Sequence, residues 1–428
     1  MTTAGHTIAR SSRRARWTLV TAGLGLSLIA IPAPARASDP VTEWSAVAQG
    51  LIVVPALAPV AQTRAMAIVH VAMHDAVNGI TGRYAQYGSK GSAPAGGSPE
   101  AAAISAAYTA LLGLVGSSDT LVSAYALSLQ THAIMPSDPG LAFGQITAEG
   151  ILALRQQDGA ALASFPYLPP DAGMLGVWGP ISSAAAAQAL LPGWGSVTPW
   201  VLRSGSQFRP DPPPALDSER YAKDYNEVLQ LGAAVNSTRT NEQTQIAAFW
   251  RASPTAIWNP ILTQAIDSRN LSISEAARIA ALFYLAAADA SVACWEGKYF
   301  YDFWRPQPAI ANGDLDGNSA TTGDPAWRPH VGTPPHPEYP SGHTANSGAM
   351  AFVLSRIFGD TPGFVIEATS PQTPGFVRHW QTFSEGVEEV IDARVYSGIH
   401  FRAADDTGAR MGRQVAQFVL THALRPVK

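Results

Sequence analysis

Alanine-rich stretches with apolar residues at helical spacing run through most of the chain, and no run alternates with the two-residue period of a half-buried strand. This restricts the fold to a mostly α protein. The spacing predicts helices near 62–79, 99–115, 118–133, 140–157, 216–232, 239–251, 274–301, 343–358, 377–392 and 403–423. Ser98-Pro99-Glu100 and Ser274-Glu275 carry the residue types of helix starts. Two stretches break the pattern. Residues 160–215 are rich in Pro, Gly, Ser and Trp and read as an irregular connection between two helical halves. Residues 306–341 are also rich in Pro and Gly and read as a loop walling a site. No short repeat is present, so the chain divides into residues 1–37, a helical half over 38–210 and a second over 211–428.

The first segment reads as an export signal. Arg10, Arg13, Arg14 and Arg16 form a basic head, Trp17 to Ile31 an apolar stretch short for a membrane span, and Ala35-Arg36-Ala37 a small-x-small cleavage site. Arg16 stands where a twin-arginine signal prefers an apolar aromatic, so the general secretory route fits better. The remaining chain is expected to have no membrane span and to act as a secreted or extracytoplasmic protein. Only 14% of residues are charged, against about 25% in an average protein, and the net charge is −4, which argues against nucleic acid or an acidic surface as partner. Cys294 is the single cysteine, so no intrachain disulfide can form; in its apolar helical run it reads as packed rather than reactive.

Three blocks in the C-terminal third carry chemistry: Lys298 with Arg305-Pro306, then Pro340-Ser341-Gly342-His343, then Arg394 with His400. Arg presents a planar fork of donors that matches a tetrahedral oxyanion, and Lys adds a point charge. A Ser-Gly step brings a hydroxyl and backbone N–H groups close to the anion. Two histidines can divide bonding to the central atom and proton transfer.

The order and internal spacing of these blocks resemble the signature shared by vanadium-dependent haloperoxidases and type-2 phosphatidic acid phosphatases. Trp295, the run Phe303-Trp304-Arg305-Pro306, and His336 seven residues before His343 resemble the haloperoxidase branch. So does the N-terminal run from Arg64 through His70, His74 and Asp75 to Asn78. The resemblance implies a pair of four-helix bundles and an oxyanion cradle of Lys298, Arg305, Ser341, Gly342 and Arg394. It implies His400 as the only protein ligand of vanadate, or as the nucleophile toward a phosphate ester. It implies His343 as the acid–base group, Lys298 as a donor to activated peroxide, and Trp295 and His336 as walls of the halide approach. The activity implied first is vanadate-dependent oxidation of bromide or chloride by hydrogen peroxide, with an organic acceptor. The alternative is an acid phosphatase working through a phosphohistidine, and a non-catalytic relative that keeps only the fold is a third reading. Two departures stand out. Ala393 precedes Arg394 where the pattern has Ser, and Ala404 fills the position of the Asp that orients the key histidine. Asp405, Asp406 or a backbone carbonyl is expected to take over that task.

Other candidates read as structural. His70 and His74 lie four apart on one helix but Val71 replaces the Glu of a zinc-protease pair, so hydrogen bonding in the core is expected. Asp314-Leu-Asp316-Gly-Asn318 imitates the start of a calcium loop, but Ser319 and Pro325 replace its required Gly and Glu, so calcium is not expected. Asp289, on the helix before the first block, is a possible partner for a site arginine.

Overall fold

The computed structural model describes residues 39–53, 57–88, 93–181 and 189–427, together with Met1. The export-signal reading therefore lies outside the described residues. Thirteen α-helices account for most of the described residues: α1 (Pro40–Ile52), α2 (Pro59–Thr81), α3 (Pro99–Val115), α4 (Asp119–Thr131), α5 (Pro139–Arg155), α6 (Glu219–Leu231), α7 (Asn241–Phe249), α8 (Pro254–Asp267), α9 (Ile273–Tyr301), α10 (Pro306–Ala311), α11 (Gly342–Phe358), α12 (Phe383–Tyr396) and α13 (Arg402–His422). The protein is all-α apart from one antiparallel hairpin, β1 (Ile366–Thr369) with β2 (Val377–Trp380), in which Ile366 faces Trp380. The described residues from Asp39 onward pack as one unit. Between Gln156 and Ser218 the described chain forms only short 3₁₀ turns, as its Pro- and Gly-rich composition requires.

Several starts are set by local chemistry. Ser98 accepts from the Ala101 N–H at the head of α3. At α9 a capping box forms on Ser272 with Glu275, two residues before the predicted start at Ser274. Three helices escaped the periodicity: α10 occupies residues 306–311 of the stretch read as a loop, where Pro306 stands at the first helical position. α8 carries Pro260 in its interior, and α1 directly follows the predicted signal segment. The helix predicted over 377–392 is corrected: residues 377–380 are strand β2, and α12 starts only at Phe383. The hairpin owes its place to tertiary packing, since Trp380 sits between Trp250 and Trp258 with ring centroids 5.9 Å from each.

α9 is the central element. Along nearly its whole length the side chains are buried, with α2 and α11 packed against it and α13 against α11. It is also long and apolar enough to cross a membrane by length and composition, which corrects the expectation that no segment past the N-terminus passes that test. Some 94% of its most apolar stretch is buried inside the protein, as suits a core helix.

Candidate active site

The last turns of α9 put Trp295 and Lys298 on one face, one helical turn apart, with the Lys298 ammonium 5.7 Å from the Trp295 ring. The helix ends at Asp302, whose φ of 44° reverses the chain, and Arg305 becomes the residue preceding α10. Backbone bonds from Trp178 to Asp302 and from Trp304 to Gly176 fix this corner, so the fully buried Arg305 points inward from a rigid support.

The segment 336–341 then ties the cations together. The His336 carbonyl accepts from Arg305 Nε at 2.9 Å. The carbonyls of Pro337 and Glu338 each accept from Lys298 Nζ at 2.9 Å. His336 Nδ1 lies 2.9 Å from Arg305 Nη2, and its ring sits 5.0 Å from that of Trp295. Ser341 precedes α11, its N–H held by the Ala404 carbonyl at 3.0 Å, and Gly342 opens the helix against the Trp295 ring.

The third block comes from α12 and the turn after it. Arg394 donates from Nη1 to the Trp250 carbonyl at 2.9 Å. Gly398, at φ 78°, lets the chain turn back tightly against Gly232. That turn delivers Ile399 and His400 to Arg305, whose Nη1 donates to the Ile399 carbonyl at 2.8 Å and lies 3.2 Å from His400 Nε2. Behind this step α6 braces the start of α13. Asp224 accepts from the Ala403 N–H at 2.8 Å, and Arg402 pairs with Glu227 and Asp392.

The structure therefore brings Lys298, Arg305, His336, Ser341, Arg394 and His400 into one buried cluster, each no more than 8% exposed. Gly342 and His343 border it and are partly exposed, which marks the side on which the cluster meets solvent. His343 Nε2 lies 3.2 Å from the Ala252 carbonyl, so a neutral ring donates there and keeps Nδ1 as acceptor among the described residues.

Burial dominates the electrostatics. It pulls Lys298 down to about 7 and Arg305 and Arg394 to about 10. It also pushes Glu338 up to about 8 and holds Asp405 well above the usual carboxylate range, against the pull of nearby cations. His336, His343 and His400 are all held well below the usual imidazole value, by burial first and then by the neighbouring arginines and Lys298. At neutral pH the histidines are neutral.

Ser341 Oγ and Arg394 Nε are buried and make no hydrogen bond of good geometry, with Asp405 the carboxyl group that acts on both residues. With Glu338 and Asp405 pushed toward their neutral acids, the two arginines are left short of counter-charge, and together with Lys298 and the Ser341 hydroxyl they fit a compact oxyanion such as vanadate or phosphate. His400 Nε2 supplies a lone pair beside those donors.

One residue of the cluster was not singled out by sequence reasoning. Glu338 is fully buried, and its Oε1 sits 2.8 Å from His400 Nδ1 and 2.9 Å from the Phe401 N–H. The expected substitutes for the missing aspartate do other things. Asp406 pairs with Arg220, and Asp405 acts on Ser341 and Arg394 rather than on the His400 ring. The only available signal for Glu338 was an acidic residue in a Pro-rich loop five positions before His343. Asp289 does not reach a site arginine: it accepts the N–H groups of Trp200, Val201 and Leu202 at 2.6–2.9 Å and anchors the long connection to α9. His70 and His74 are buried and bonded to Met66 and Ser45, and to Ala85 and Asn78. Asp314 and Asp316 cap their own loop through Gly323, Asn318 and Thr321. Cys294 is buried with its thiol pushed up to about 11, a packed and unreactive group.

Residues 278–428 match the family defined as the VCPO second helical-bundle domain, and that stretch holds every candidate site residue. A bacterial vanadium-dependent iodoperoxidase structure superposes with a TM-score of 0.78 at 27% identity, covering 92% of this chain and 99% of that one. These likenesses support the vanadium haloperoxidase superfamily as the group this chain resembles. Vanadium chloroperoxidase of Curvularia inaequalis is 26% identical over 205 residues, 40% of this chain but only 33% of that protein. A bacterial vanadium-dependent chloroperoxidase in its holo form shares the fold at a TM-score of 0.64 and 19% identity, over 87% of this chain and 94% of that one.

Proposed function

We propose that the protein is a vanadium-dependent haloperoxidase that uses hydrogen peroxide to oxidise bromide or chloride, delivering a hypohalous-acid equivalent to an organic acceptor. The same proposal takes the activity to lie outside the cytoplasm, on the export-signal reading of residues 1–37. The observation that carries the reading is the convergence of Lys298, Arg305, Arg394, Ser341 Oγ and His400 Nε2 in one buried cluster. The likeness to solved and curated vanadium haloperoxidases supports it.

In this reading Lys298, Arg305 and Arg394 would neutralise vanadate, Ser341 and the Gly342 N–H would donate to its oxygens, and His400 Nε2 would be its protein ligand. A charge-assisted bond contributes about 1.5–3 kcal/mol, so several together hold the anion. Bound vanadate would supply Lewis-acid activation of hydrogen peroxide without a change of oxidation state. His343 Nδ1 takes the proton that peroxide gives up, because its other nitrogen is committed to the Ala252 carbonyl. Lys298 would offer an ammonium proton to an oxygen of the bound anion. Trp295 and His336 form the wall on that side, and burial of the cluster excludes water.

The same donors suit the phosphoryl group of an ester, with His400 as nucleophile and His343 protonating the leaving alcohol. Reconstitution of purified protein with orthovanadate separates the two readings. Peroxide-dependent bromination of a dye is the expected outcome. Hydrolysis of a generic phosphate ester, inhibited by vanadate and without bromination, would replace the proposal with the phosphatase reading.

A further inference from the structure

We propose that Glu338 is the positioning residue for His400, fixing its ring as the Nδ1–H tautomer so that the Nε2 lone pair faces the cation cluster. The guanidinium of Arg305 can only donate, and its Nη1 lies 3.2 Å from His400 Nε2. Nε2 must therefore be the acceptor nitrogen, and the proton of the neutral ring sits on Nδ1. That N–H meets Glu338 Oε1 at 2.8 Å. The two contacts select the same tautomer from opposite edges of the ring.

Glu338 is itself held in place. Its Oε1 also accepts the Phe401 N–H at 2.9 Å, so a single oxygen grips both the ring and the backbone of the His400–Phe401 step. Its carbonyl accepts from Lys298 Nζ at 2.9 Å, and its N–H donates to the Phe303 carbonyl at 2.9 Å. The block of Lys298, the corner before Arg305 and the histidine step are thereby cross-linked through one residue. Glu338 Oε2 is buried with no partner, an arrangement that costs stability. A carboxylate here is not explained by packing, because an apolar residue would fill the same space without that cost. Orientation of the imidazole is what this residue supplies, through an oxygen placed to accept from both N–H groups.

The tautomer stands independently of the proposed function, whereas its effect on anion binding rests on that reading. Long-range ¹H–¹⁵N correlation of histidine-labelled protein, with His400→Gln to assign the signal, reads the tautomer without any anion. Wild type is expected to show Nδ1–H, and Glu338→Ala to lose that single state. Glu338→Gln retains it, because the amide oxygen can accept both N–H groups. Titration with orthovanadate should then show an affinity about 10- to 100-fold weaker in Glu338→Ala, largely restored in Glu338→Gln. A wild-type His400 protonated on Nε2 at neutral pH overturns the proposal outright, even where the alanine variant does not fold. So does an alanine variant that folds and keeps both the Nδ1–H state and wild-type vanadate affinity. Failure of wild type to bind orthovanadate, with the tautomer as expected, overturns the functional reading and leaves the positioning role standing.

Discussion

Gly348→Ala tests whether the seam between α11 and α13 sets the site. A Cβ at Gly348 would lie 2.5, 3.0 and 3.1 Å from the O, Cα and C atoms of Ala409. Ordinary contact begins near 3.4 Å, so the seam must open by about 0.9 Å, and a helix backbone cannot rotate out of the way. Overpacking of this kind costs about 1–3 kcal/mol. The gain in helix propensity, about 1 kcal/mol, works in the opposite direction. Gly150→Ala isolates the contact effect: Gly150 is an exposed interior residue of α5 whose Cβ would meet nothing within 4 Å. Both variants gain the same propensity, so Gly348→Ala should be less stable than Gly150→Ala by about 1–3 kcal/mol in urea unfolding. Its orthovanadate affinity should also fall, because Ser341 stands at the head of α11 and His400 just before α13, where Ser341 N–H bonds the Ala404 carbonyl at 3.0 Å. Equal stability of the two variants would refute the argument. Lower stability with unchanged affinity would show that the seam supports the fold alone.

The lowered value of Lys298, about 7, has two signed consequences. Between about 7 and the ordinary 10.5 the unfolded chain binds this proton and the folded chain does not, so the anion-free protein should gain stability as pH rises through that window. Anion binding favours the ammonium, so affinity should fall over the same window, and Lys298→Met should flatten both slopes once the titration of the anion itself is subtracted. Arg394→Ala should weaken orthovanadate binding by about 1.5–3 kcal/mol in calorimetry, since its Nε is buried and makes no hydrogen bond of good geometry; unchanged affinity would place the anion elsewhere. His343→Ala should retain vanadate but lose about 10²–10⁴ in peroxide turnover, and wild-type peroxide kinetics would make it structural. His336→Phe, at the Trp295 and Arg305 contacts, should change the chloride-to-bromide ratio more than vanadate affinity; an unchanged ratio at fixed peroxide and pH returns His336 to packing.

Local pattern decided a great deal here. Helical periodicity marks α9 and the positions of Trp295 and Lys298 on it, because residues three apart on a helix share a face whatever surrounds them. The three motif blocks named the cations, the serine and the histidines that the structure gathers within one cluster. Tertiary structure decided what no local pattern encodes. Residues 377–380 read as helix and became strand because their partner is the segment 366–369 and their tryptophan fills a gap between Trp250 and Trp258. Asp289 looked toward the site arginines in sequence, but its oxygens meet three N–H groups of a connection almost ninety residues earlier. The residue bonded to His400 is not downstream on its own helix, where the pattern places an aspartate, but Glu338, 62 positions upstream. A hydrogen bond needs only that two groups meet with the right geometry, and a loop returning from α10 to α11 achieves this without any fixed spacing to His400. Sequence supplied the chemical types of the site, and folding chose their partners.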